Sequence, residues 1–154
     1  MSVDRGDIVA DLNRLMAEEA EACLRYFQMR FRLRGKDRHA AEKFFDEALK
    51  ETLEHADAIA RQIRSLGHIP TLHIRLSLGG GPMRPEEALS EALDVEQQAL
   101  DAYKDFLPRV MGDPVLEDFI RKQIEVETEH VQEILEAVRG RTGAPLKLVA
   151  KPEA

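Results

Sequence analysis

The sequence predicts an all-α fold, an antiparallel four-helix bundle with a long crossover between its second and third helices. Three observations carry that expectation. Ala, Leu, Glu and Arg dominate the composition, which favours helix over sheet, and only 5% of residues are aromatic. Apolar residues recur in alternating steps of four and three along four separate stretches, the period of a helix that buries one face. The segment between the second and third stretches runs from Gly67 to Pro85, whereas antiparallel neighbours are usually joined by roughly 2–8 residues. A chain of 154 residues can bury one proper core, so the reading is a single bundle over residues 1–143 with an extended tail at 144–154.

The first helix begins near Asp4 to Asp7 and stops at Gly35. Its apolar seam reads Ile8, Leu12, Leu15, Glu19, Ala22, Tyr26, Met29, Leu33, which puts Glu19 in line with the core and leaves Glu18 and Glu21 off it. The cluster Arg30, Arg32, Arg34, Lys36 and Arg38 reads as a solvated helix end that suits the C-terminal dipole. The second helix runs from about Arg38 to Leu66, with Gly67 as its stop. Its broad seam carries Ala41, Phe44, Phe45, Ala48, Leu49, Thr52, His55, Ile59, Ile63 and Leu66. The following segment, extended at ~3.3 Å per residue, can travel the length of a helix pair. His68 and His73 lie in it without helical partners and receive no role.

The third helix opens on Pro85-Glu86-Glu87, proline being tolerated in a first turn. Its seam is Leu89, Leu93, Glu96, Ala99, Tyr103, Phe106, Val110. After Gly112, Asp113 is a natural N-cap and Pro114 a natural first helical residue for the fourth helix, which ends near Gly140. That helix buries Leu116, Ile120, Gln123, Glu127, His130, Ile134 and Ala137, while Glu125 and Glu129 point away.

Several functions are disfavoured at once. A formal net charge of −7 argues against nucleic acid as a partner. Cys23 is the only cysteine, so no intrachain disulfide and no cysteine metal knuckle can form. The N-terminal residues lack the basic start and apolar run of a signal peptide, and nothing approaches the ~18 apolar residues of a membrane span. A cytoplasmic protein with no membrane partner is expected.

What the seams carry is unusual. Ionised carboxylates in an apolar interior are costly unless paired or bound to metal. Here Glu19-x-x-Ala22-x-x-x-Tyr26 on the first helix recurs as Glu96-x-x-Ala99-x-x-x-Tyr103 on the third, and these are the chain's only tyrosines. His55 follows Glu19 by 36 residues and His130 follows Glu96 by 34. Two similar hairpins would therefore bring Glu19, His55, Glu96, Glu127 and His130 to one level of the bundle. Several carboxylates with about one imidazole per ion suit iron or manganese better than zinc. Tyr26 and Tyr103 are the candidates for catalytic support, each able to donate to a ligand carboxylate.

With these residues in view, the chain resembles the ferritin-like superfamily, closest to the bacterioferritins. The resemblance covers Asp7 to Val138 and rests on Glu19-x-x-Ala-x-x-x-Tyr26, His55-Ala56-Asp57, Leu66-Gly67-His68-Ile69-Pro70, Glu96-x-x-Ala-x-x-x-Tyr103 and Glu127-x-x-His130. It implies a ferritin-like bundle with two non-haem irons per subunit, which oxidises Fe(II) with oxygen or peroxide and collects ferric iron inside a homo-oligomeric shell. By the same resemblance Glu19 and Glu96 are terminal ligands, Glu127 a bridge, and His55 and His130 one imidazole for each metal. The chain departs from the pattern in three places. Thr52 stands where the family has a bridging glutamate, and Leu53 where bacterioferritins have the haem-ligating methionine, so no haem is expected. The tail is a poor match for the fifth helix of the large cages.

Glu51 is expected to supply the missing carboxylate. Two divalent ions bring four positive charges against the three negative ones of Glu19, Glu96 and Glu127. Glu51 precedes His55 by four residues and can share its face, the more so with a one-residue π-bulge between them. Two other readings remain: a di-metal oxidase or peroxidase that stores no iron, rubrerythrin-like in its bundle, and a non-enzymatic helical oligomer with a vestigial site.

Overall fold

The computed structural model describes residues 4–140. Four helices follow in order, α1 (Arg5–Arg32), α2 (Arg38–Ser65), α3 (Pro85–Val110) and α4 (Pro114–Arg139). No helix among them is long and apolar enough to cross a membrane. The tail expected at 144–154 lies outside the described residues.

The ends of the helices follow local chemistry. The Asp4 side chain accepts from Gly6 N at the start of α1, and the Asp113 side chain accepts from Val115 N and Leu116 N at the start of α4. Both hairpins turn through a glycine at positive φ, Gly35 (103°) between α1 and α2 and Gly112 (99°) between α3 and α4. α3 contains Pro108 two residues before its end, where the missing N–H forgoes one bond to the Lys104 carbonyl and only Arg109 and Val110 follow. α1 ends three residues before Gly35: Leu33 is extended and its neighbours pair with the crossover, Arg34 N to Met83 O and Met83 N to Arg32 O, both 2.9 Å.

The crossover is a strap along α1. Thr71 N donates to Asn13 Oδ1, Gln28 Nε2 to Gly79 O and Arg32 Nε to Gly81 O, so crossover and helix advance in the same direction. Part of the basic cluster is thereby engaged, unlike the solvated end expected. Arg32 holds the strap, Arg34 donates to the carbonyls of Phe31 and Leu33, and Arg30 pairs with Asp46 at 2.7 Å.

The core is divided in two. One apolar cluster gathers Leu12, Leu15, Ile59, Ile63, Phe106 and Ile120, and the other Met29, Leu33, Phe45, Ala88, Leu89 and Ile134. Every seam residue of α1 is buried. Between the two clusters lies a polar layer.

Candidate metal centre

Each helix places its polar seam residues at this one level: Glu19 from α1, His55 from α2, Glu96 from α3, Glu127 and His130 from α4. They take positions in the four-and-three pattern that would otherwise be apolar, so the register that buries Leu15 or Ile134 buries them as well. Glu19, Glu96, Glu127 and His130 are all buried, with Glu127 1% exposed, and the His55 side chain is 12% exposed.

The inner edges of the two imidazoles face the carboxylates. His55 Nδ1 lies 3.1 Å from Glu127 Oε1 and 3.6 Å from Glu19 Oε2. His130 Nδ1 lies 3.6 Å from Glu96 Oε2 and 3.6 Å from Glu127 Oε2. Glu127 thus turns one oxygen to each ring, and the rings stack with centroids 5.8 Å apart and planes 17° apart. The remaining oxygens are held by phenols across the bundle. Tyr26 OH donates to Glu96 Oε1 and Tyr103 OH to Glu19 Oε1, each at 2.6 Å. Each glutamate keeps its other oxygen for the centre.

Two groups, Glu19/His55/Glu127 and Glu96/Glu127/His130, each offer three ligand atoms within 4.8 Å of one another. His55 Nδ1 and Glu127 Oε2 are enclosed, yet neither makes a directed hydrogen bond. Their ionic contacts are close but lie off the line of the ring N–H, too poorly directed to satisfy either atom. Nitrogen and oxygen donors that converge without bonding one another well fit a cation between them, and the absence of thiolate suits iron or manganese.

The electrostatics follow from burial and crowding. Burial alone would lower the His55 pKa, but Glu127 and Glu19 outweigh it and lift it to about 10. Burial likewise opposes a charged His130, and Glu127, Glu51 and Glu96 together lift it to about 12. Glu127 and Glu96 compete for these partners. Burial pushes the Glu127 carboxyl up, while at Glu96 the adjoining His130 and Glu127 and the hydrogen bond from Tyr26 overcome burial and hold it down. Both tyrosines are pushed well up, by burial first and then by the glutamate each one touches, so they remain protonated donors.

Glu51 reaches the centre from outside. Its Oε2 lies 2.7 Å from His130 Nε2, the nitrogen opposite the inner edge. α2 stays a regular α-helix there, without the π-bulge considered from sequence. Thr52 is buried with its hydroxyl turned back to the carbonyls of Ala48 and Leu49. Leu53 is 60% exposed. Sequence periodicity did not point to Asp11, which is 5% exposed and held by Arg14 at 2.7 Å and by Arg109 from α3. Its neighbour Leu12 carries the seam, and nothing local signals the distant Arg109.

The family model described as a ferritin-like domain matches residues 9–142. No curated protein matches the chain in sequence. Among solved structures, a ferritin-like, diiron-carboxylate protein from Bacillus anthracis strain Ames superposes with a TM-score of 0.78 at 23% identity, covering 90% of this chain and 99% of that one. Dps from Staphylococcus aureus superposes with a TM-score of 0.79 at 17% identity, covering 88% of this chain and 97% of that one. At such identities the likeness is one of fold.

Proposed function

The chain belongs to the ferritin-like family, and on that premise we propose that it binds two iron ions in the polar layer and oxidises Fe(II) with oxygen or peroxide. The observation that carries this reading is Glu127, whose two oxygens face two imidazoles, each backed by its own glutamate. The diiron-carboxylate character of the Bacillus anthracis structure supports the choice of metal. Glu19, His55 and Glu127 hold one ion, and Glu96, Glu127 and His130 the other. Iron bound there would supply one-electron exchange with oxygen or peroxide.

The protein's own groups set the conditions for that exchange. Tyr26 and Tyr103 each pin one oxygen of a terminal glutamate and leave the second oxygen to the ion. The imidazoles are protonated in the metal-free protein at neutral pH, so cations enter by displacing protons from Nδ1. The apolar clusters above and below keep water from the layer. Storage of ferric iron within a homo-oligomer is part of the reading. Leu24, Phe27 and Phe31, spaced to share one face of α1, are exposed and support association. One observation favours a non-enzymatic alternative: Thr52 withholds a second bridging carboxylate.

Anaerobic titration with Fe(II), followed by admission of oxygen, tests the proposal. The full chain should take up two ions, and Glu127→Ala or His130→Ala should remove most of that binding. Should both variants keep full binding and full oxidation, the site lies elsewhere. Native mass and iron content then separate the forms. A large particle with hundreds of irons means storage, two irons per chain on a dimer means a rubrerythrin-like oxidase, and no iron uptake means the structural oligomer.

A further inference from the structure

Glu51 belongs to neither candidate ion group, yet it touches one of their imidazoles. Its carboxylate meets Nε2 of His130 at 2.7 Å, while Nδ1 of the same ring faces Glu96 and Glu127. A carboxylate on the outer nitrogen of a ligand imidazole fixes its tautomer and ring plane and raises its basicity. We propose that Glu51 is a positioning residue for one half of the centre only. It keeps the proton of neutral His130 on Nε2, leaves Nδ1 to the ion, and so favours ion binding in the Glu96/Glu127/His130 half alone. The inference rests on the reading under Proposed function and adds an asymmetry to it.

The asymmetry is written into the helices. Four residues before His130 on α4 stands Val126, which has no charge to offer His55 in return. Glu51 also keeps the layer neutral without ligating. Glu19, Glu51, Glu96 and Glu127 together balance two divalent ions when both imidazoles are neutral. As placed, the Glu51 oxygen lies off the line of the Nε2–H. Its side chain is 28% exposed, and the contact at 2.7 Å is an ionic one.

Co(II) titration of the full chain, read by ligand-field absorption, is the test. Wild-type protein should show two phases. Glu51→Ala should weaken one of them by about 10–100-fold and leave the other unchanged. Glu51→Gln, which keeps an acceptor oxygen, should weaken it less. At saturation the spectra of both variants should match wild type, because no ligand has been lost. In a His130→Ala background, Glu51→Ala should not lower further whatever Co(II) binding is left. Unchanged phases in Glu51→Ala, a saturated spectrum lacking a ligand, or further weakening in the His130→Ala background would each overturn the inference, the last two in favour of direct ligation by Glu51. Absence of Co(II) uptake by wild type is read before any variant and sinks the proposed centre itself.

Discussion

The two helix hairpins carry the same device with one exchange. α1 and α2 contribute Glu19, Tyr26 and His55, and α3 and α4 contribute Glu96, Tyr103 and His130. The cross-bundle bonds are matched, Tyr103 to Glu19 and Tyr26 to Glu96, each 2.6 Å. The exchange lies in the turn before each histidine. α4 has Glu127 three residues before and Val126 four before, whereas α2 has Thr52 three before and Glu51 four before. One residue turns a helix by about 100°. The carboxylate of α4 therefore falls between the two rings, and that of α2 falls on the outer edge of one of them. Helical phase, more than composition, decides which acid can face both imidazoles.

Restoring the matching phase is the most disruptive way to test this comparison. Thr52→Glu should place a second carboxylate at the register of Glu127. Without metal, another acid is crowded into a position that is 3% exposed, and the fold should lose about 3 kcal/mol, the lower end for an uncompensated buried charge. With ions bound, the added carboxylate gains a partner, so the gap in Tm between loaded and metal-free protein should widen beyond that of wild type. Thermal melts with and without Fe(II) under anaerobic conditions measure it. An equal drop in both states would mean that the side chain is merely too large and that phase is not what Thr52 withholds.

Much of this arrangement is legible in the sequence alone. The α1 seam from Ile8 to Leu33 is buried throughout, because steps of four and three return to one face whatever the partner helices are. Asp113 and Pro114 begin α4 as their chemistry requires. Periodicity also gives a level along the bundle, which is how the five polar residues could be grouped. It gives no neighbour across the bundle. That each tyrosine serves the glutamate of the opposite hairpin, and not the one on its own helix, depends on the antiparallel pairing of α1 with α3. The outer-edge placement of Glu51 and the burial of Asp11 under Arg109 are of the same kind, contacts between residues far apart in sequence.

A second test compares the two imidazoles through their protons. Both are charged in the metal-free protein at neutral pH, His55 with its pKa lifted to about 10 and His130 to about 12. Loading two ions at pH 7 should release about two protons from the imidazoles and about half of one from Glu127, whose carboxyl is pushed up to about 7, and the affinity for each ion should rise at least about tenfold per pH unit over the neutral range. Calorimetry in buffers of different ionisation enthalpy counts the protons. Stability of the metal-free fold runs the other way. A raised pKa contributes stability that is fully present below the unfolded value of 6.5 and is lost as pH rises, through about 10 for His55 and about 12 for His130. The metal-free protein should therefore weaken on the alkaline side. Release of no protons would mean that the ions bind away from the imidazoles.

The smallest expected effect is a difference near zero between Tyr26→Phe and Tyr103→Phe. Each change removes one hydroxyl from a buried ring, 0% exposed at Tyr26 and 1% at Tyr103, and leaves the ring volume in place. Each strips the same 2.6 Å bond from a buried glutamate, whose freed oxygen no longer meets that donor. An acceptor left unsatisfied in the interior costs about 1–3 kcal/mol. The phenyl ring at position 26 keeps the tilted contact with Phe45, 5.6 Å between centroids, so packing adds nothing to the difference. The two variants should then lose equal stability within about 0.5 kcal/mol, and the double variant should lose the sum if the halves are independent. Ion affinity is a sharper readout. If Glu51 sets the halves apart through His130, then Tyr26→Phe should weaken the phase that Glu51→Ala weakens and Tyr103→Phe the other one. Both variants weakening the same phase would break the equivalence of the hairpins and place the whole asymmetry elsewhere.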